Sequence, residues 1–186
     1  MNDLVKTVIE KMTLKIAVLL SVMFVVFLYL INFSGIGVIG LQKITDGANI
    51  LDFEFGFSYE VAKNMLSVLG VDGRAFYLTR IIPLDFVFPF SYMLCWGGWI
   101  AFLVKQATKM KWCKYLIFIP CFAMLFDWLE NVGIIVMLRN YPDFSLLAVN
   151  LASISGMLKM VLIFCSVGTI SMLLIASIGN MIRAKK

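Results

Sequence analysis

The sequence predicts an all-α membrane protein: an antiparallel bundle of four transmembrane helices, with an outer loop that carries a short amphipathic interfacial helix. Composition is the first reason. Of 186 residues, 62% are hydrophobic and 15% charged, which is more apolar surface than one soluble core can hide. The second is that four stretches reach the roughly 20 apolar residues needed to cross a bilayer. The third is that lysines and arginines separate these stretches and sit mainly on one side.

The first predicted span covers about residues 16–39. Its apolar run exceeds the roughly 7 to 15 residues of a signal-peptide core, and no A-x-A-like cleavage site follows, so an uncleaved anchor is expected. The outer loop runs from about 41 to 82 and contains two patterns. Leu51, Phe53, Phe55, Phe57 and Tyr59 alternate with Asp52, Glu54, Gly56 and Ser58, the period of an extended segment with one oily face. A lone strand needs support, so this segment is expected to rest on the membrane, the helices or another chain. Ser58 then caps a short helix whose Val61, Ala62, Met65, Leu66 and Leu69 share a face, with Gly70 as its stop. Such a helix is expected to lie along the outer interface and, with the rest of the loop, to lid the bundle. Asp72-Gly73 is read as a turn, and Arg74 to Ile82 as a lead into the second span at about 83–104, where Pro83 suits a first helical turn. The third and fourth spans follow at about 115–138 and 146–175. Without repeats or a soluble module, residues 1–186 form one expected transmembrane domain.

Orientation follows from charge. Lys6, Lys11, Lys15, Lys105, Lys109, Lys111, Lys114, Arg183, Lys185 and Lys186, ten of the 16 basic residues, fall on one side. Basic loops resist translocation, so both termini are expected in the cytoplasm and the chain in the plasma membrane. The opposite side carries Lys43, Lys63, Arg74, Arg80 and Arg139 among Asp46, Asp52, Glu54, Glu60, Asp72 and Asp143. Because the net charge of +5 is not gathered into a patch interleaved with aromatics, nucleic acid is not an expected partner. Cys95, Cys113, Cys121 and Cys165 fall in spans or at the cytoplasmic edge and form no C-x-x-C pair, which excludes a disulfide framework in the outer loop.

The candidate site lies among the polar residues within the spans. A charge at mid-membrane costs at least about 2.5 to 3.5 kcal/mol, so it persists where it faces protein or water. Asp127, Glu130 and Asn131 stand at i, i+3 and i+4, on one helix face. Antiparallel helices rise equally per residue, so reflection about the turn near Tyr141-Pro142 sets Lys159 opposite Asp127 and Ser155 opposite Glu130. Reflection about Lys109 brings Tyr92 level with Asp127. The resulting column has Tyr92, Asp127 and Lys159 near mid-membrane, Glu130, Asn131 and Ser155 one turn outward, and Asp85 with Arg80 nearer the outer surface. A purely structural reading stands beside it, in which Asp85 complements a helix dipole, Arg80 snorkels, and Asp127 with Lys159 fixes helix register. Gly97, Gly98, Gly133, Gly156 and Gly168 are read as close helix contacts, Trp112 as an interfacial anchor.

The phrase from Arg80 through Pro83, Asp85 and Pro89, followed by Phe126-Asp127-Trp128-Leu129-Glu130-Asn131 and a lysine in the last span, resembles small four-span bacterial membrane proteins of unassigned function. The resemblance covers roughly the second through fourth spans and implies the same fold; it brings no substrate.

Three functions remain, in this order. The first is binding or movement of a cation, a proton or a small amphiphile at Arg80, Asp85, Tyr92, Asp127, Glu130, Asn131 and Lys159. The second is a non-catalytic accessory or structural subunit, with a second copy or another membrane protein as partner besides membrane lipids. The third is a lipid-modifying enzyme using Asp127 and Glu130 as acid and base, or adding Asp85 and Asn131 to hold a hard divalent ion. The absence of histidine removes His-ligated zinc and Ser-His relay chemistry. No cofactor, resident metal or catalytic residue is assigned.

Overall fold

The computed structural model describes residues 2–107 and 111–184, and within them every regular element is helical. Lys109, about which the second and third spans were reflected, and Lys185 and Lys186 lie outside the described residues. Helix α1 (Asn2–Lys11) precedes α2 (Leu14–Phe33), whose N-cap Thr13 accepts from the Ile16 amide. A turn at 34–37 separates α2 from α3 (Val38–Ile44). The first predicted span is therefore broken near its outer end. The cause is local, since the Ser34 hydroxyl turns back onto the Leu30 carbonyl and also accepts the Ile36 amide, competing with the helix ladder.

The outer segment departs most from expectation. Instead of an extended strand, Leu51–Phe53 forms a single 3-10 turn. Leu51 is buried while Phe53 and Phe55 are exposed, so strict alternation does not describe it. A two-residue period needs a neighbouring strand to hold it, and none exists among the described residues. The turn is pinned instead by the Phe57 amide, which donates to Ser153 Oγ at 2.8 Å, and by Gly56, which sits with positive φ against Met157.

Helix α4 (Tyr59–Val68) starts where the sequence says, with Ser58 Oγ accepting from the Val61 amide, and ends before Gly70 at φ 64°. The expected turn at Asp72-Gly73 is helical: α5 (Gly70–Phe76) passes through a π-helical turn at Tyr77–Ile81 into α6 (Ile82–Ala107). That wide turn immediately precedes Pro83, whose missing N–H and bulky ring cannot fit a regular ladder. A 3-10 segment (Lys111–Ile117) leads into α7 (Phe118–Asn140), and α8 (Leu146–Ala184) completes the chain.

Four of these helical runs are long and apolar enough to cross a membrane: Leu14–Ile44, Gly70–Ala107, Trp112–Asn140 and Leu146–Ala184. Helix α8 packs most extensively on α7, and α6 touches α2, α7 and α8. In the second and third runs half of the apolar window is buried, against 11% and 17% in the first and fourth, so α2 and α8 offer most of their surface outward. At one end, Lys105 donates to the Met12 carbonyl and the Asn180 amide to the carbonyls of Gln106 and Ala107. At the other, Leu41, Leu51, Leu66 and Tyr77 from the loop elements share one core with Ile134, Met137 and Val149. Arg74 ties this end together, stacking over the Tyr141 ring at 4.0 Å and donating to the Leu66 carbonyl.

Candidate functional site

On α7 the spacing of Asp127, Glu130 and Asn131 turns all three toward the bundle interior, and their exposures are 3%, 0% and 0%. The facing stretch of α8 carries Gly156 and Lys159. A Cβ on Gly156 would stand 2.5 Å from Glu130 Oε1, so the acid occupies the space that any other residue there would fill. One turn further on, the Lys159 ammonium contacts Glu130 Oε2 directly and lies 3.7 Å from Asp127 Oδ1. From α6, the Tyr92 hydroxyl donates to Asp127 Oδ2 at 3.0 Å. Tyr92, Asp127, Glu130 and Lys159 are thus brought together, with Lys159 closer to Glu130 than to Asp127, the residue reflection set opposite it.

Asn131 joins through α6. Residue 89 is a proline, so no amide is present to bond the Asp85 carbonyl one turn back. The Asn131 side chain supplies that donor at 3.0 Å, and Trp128 Nε1 donates to the neighbouring Phe86 carbonyl. This pair locks α7 to α6 beside the acids.

Two residues enter that sequence reasoning missed. Asp52, read only as one of the outer-side acids, is 8% exposed and lies 3.9 Å from Lys159 through Oδ1. Tyr77, on the π-helical turn and fully buried, donates its hydroxyl to Asp52 Oδ2. The only signal in the chain was an acid between Leu51 and Phe53, which the alternating pattern explained away. Arg80 is the converse error. It is exposed on the same π-helical turn and makes no ion pair with the cluster. On this turn Tyr77 and Ile81 are buried and Arg80 is exposed.

Asp85 is 6% exposed and shares a cavity of about 170 Å³ with Asp52, Asp127 and Lys159. The cluster therefore sets four buried carboxyl groups against one buried ammonium. Asp85 Oδ2, Glu130 Oε1 and Asn131 Oδ1 have neither a hydrogen-bond donor nor an ion-pair partner among the described residues. Oxygens of Asp52, Asp127 and Glu130 come within 4.8 Å of one another, close enough for one hard cation, but the Lys159 ammonium already stands among them. All four cysteines are free.

No protein-family model, curated protein or solved structure matches the chain.

Proposed function

We propose that the chain is a multi-pass protein of the plasma membrane, one antiparallel four-helix domain with both termini in the cytoplasm, whose buried acid cluster binds or helps move positive charge. That charge is a proton, a cation or the polar head of a small amphiphile, held by Asp52, Asp85, Asp127 and Glu130 around Lys159, with Tyr92 and Asn131 as fixed donors. Arg80 has no part in it. The observation that carries this reading is the imbalance of four carboxyls to one ammonium, with acceptor oxygens left unpartnered. Isolated ionised carboxylates away from water are too costly to keep, so the surplus acids hold protons or a cation.

The orientation draws support from the end where Lys105 meets the backbone after α1 and Asn180 meets the end of α6, since that end also carries Lys6, Lys11, Lys15 and Arg183. Helix α4 and the 3-10 turn form the outer lid. Membrane lipids cover the outward faces of α2 and α8.

Thermal unfolding in a nonionic detergent tests the reading. Across a panel of pH values and of sodium, potassium, magnesium and calcium salts, at least one ion should stabilise the protein saturably. A ligand present at 100 times its Kd adds about 2.7 kcal/mol. Asp127→Asn should lose that stabilisation while still extracting as a folded protein. Identical shifts in the two proteins across the whole panel would count against a binding role for the cluster.

A further inference from the structure

The cavity beside the cluster has a lining of two unlike kinds. Its charged lining is Asp52, Asp85 and Asp127 with the Lys159 ammonium, three acids to one cation; its apolar lining includes Phe53, Phe88, Met160 and Ile163. Asp85 is more than nine-tenths buried, and its Oδ2 meets no donor. Lys159 makes no direct ion pair with it, being drawn onto Glu130 and shared with Asp127 and Asp52. The cavity thus presents an acidic acceptor to whatever enters.

A bare metal ion matches only the charged lining. Calcium takes 6 to 8 oxygens, and magnesium a near-octahedral set, whereas most of the lining here is carbon. The volume of about 170 Å³ is also several times the roughly 30 Å³ that one water occupies. A cation that brings its own hydrocarbon satisfies both kinds at once. The cavity is partly open and takes part of its lining from α2 and α8, the two spans that bury least of their apolar surface, and from half-exposed Phe53.

We propose that this cavity binds a single-chain amphiphile with a protonated amine head, its ammonium on Asp85 and Asp127 and its chain along the apolar lining. This deepens the function proposed above and rests on it. A long-chain alcohol lacks the charge that the surplus of acids selects, and an alkyl sulfate is repelled by it.

Binding to the full-length protein in maltoside micelles at neutral pH, read by saturable shifts in melting temperature, discriminates the alternatives. The probes are dodecylamine, methylamine, dodecanol and dodecyl sulfate. Dodecylamine should bind at least tenfold more tightly than methylamine or dodecanol, and dodecyl sulfate should not stabilise. Asp85→Asn should weaken dodecylamine at least tenfold. Ile163→Trp fills the chain-binding part of the cavity with the acids untouched, so it should lose dodecylamine yet keep the response to pH and small cations; this variant decides the matter should Asp85→Asn fail to fold. Methylamine binding as tightly as dodecylamine overturns the amphiphile and leaves a simple cation site. Equal dodecylamine shifts in all three proteins mean adsorption to the micelle and also overturn it. No response of the wild type to any amine, ion or pH change overturns both this inference and the function it rests on.

Discussion

Lys159 is buried against three carboxyl groups from two elements, Asp52 on the 3-10 turn and Asp127 with Glu130 on α7, and their proximity favours its charged form. Lys159→Met leaves those acids facing one another. Removing one partner of a buried ionic group costs about 3–5 kcal/mol, so this variant should melt far below the wild type. The double variant Lys159→Met with Glu130→Gln should lose less than the two single losses added together. Gly156 makes a second residue-level test. Adding a methyl there drives into Glu130, and overpacking of this kind costs about 1–3 kcal/mol, whereas Gly168 has open space around it. Gly156→Ala should therefore destabilise in thermal melts and Gly168→Ala should not. The i, i+3, i+4 spacing of Asp127, Glu130 and Asn131 was legible in the sequence because a helix fixes it. The join of Asp52 to Lys159 was not, since it spans more than a hundred residues and depends on a loop with no period to read.

At the scale of elements, the outer loop is a plug as well as a connection. Leu51 and Leu66 anchor it in the outer core, and Asp52 reaches past them to the ion cluster, where Tyr77 holds it. Tyr77→Phe removes that donor. A hydrogen bond to a charged group contributes about 1.5–3 kcal/mol, and amides of residues 50–57 should then exchange with solvent faster than in the wild type. Ser58→Ala, which removes only the cap of α4 at a cost of about 1 kcal/mol, should leave exchange at Asp52 unchanged and serves as the control. The start of α4 could be read in advance because a cap and an apolar stripe are local signals. The π-helical turn could not, as nothing before Pro83 marks where a surplus residue will be absorbed. That turn carries the missed Tyr77 inward, while Arg80 faces outward on it.

For the whole molecule, the four long apolar runs were plain in the sequence because lipid imposes their length and composition. Their outer limits were less so. Helix α8 has 39 residues, about 58 Å at 1.5 Å per residue, nearly twice the roughly 30 Å hydrocarbon core, so it is longer than an upright crossing needs. The proposed orientation, with both termini cytoplasmic, is tested after the native cysteines are replaced: a membrane-impermeant maleimide added to intact cells should label Asp72→Cys and miss Thr7→Cys until the cells are opened. The reverse pattern would invert the bundle.

The central claim is that the surplus buried acids are neutralised by bound positive charge. Infrared spectroscopy of the protein in neutral lipid reads it directly, in a buffer whose sole added cation, tetrabutylammonium, is too bulky for the cavity. A protonated carboxyl band should be present at neutral pH, should shrink in Asp85→Asn and Asp127→Asn, and should fall when a cation that fits is added. A spectrum with every carboxyl ionised under those conditions, unchanged by either substitution, would contradict the claim.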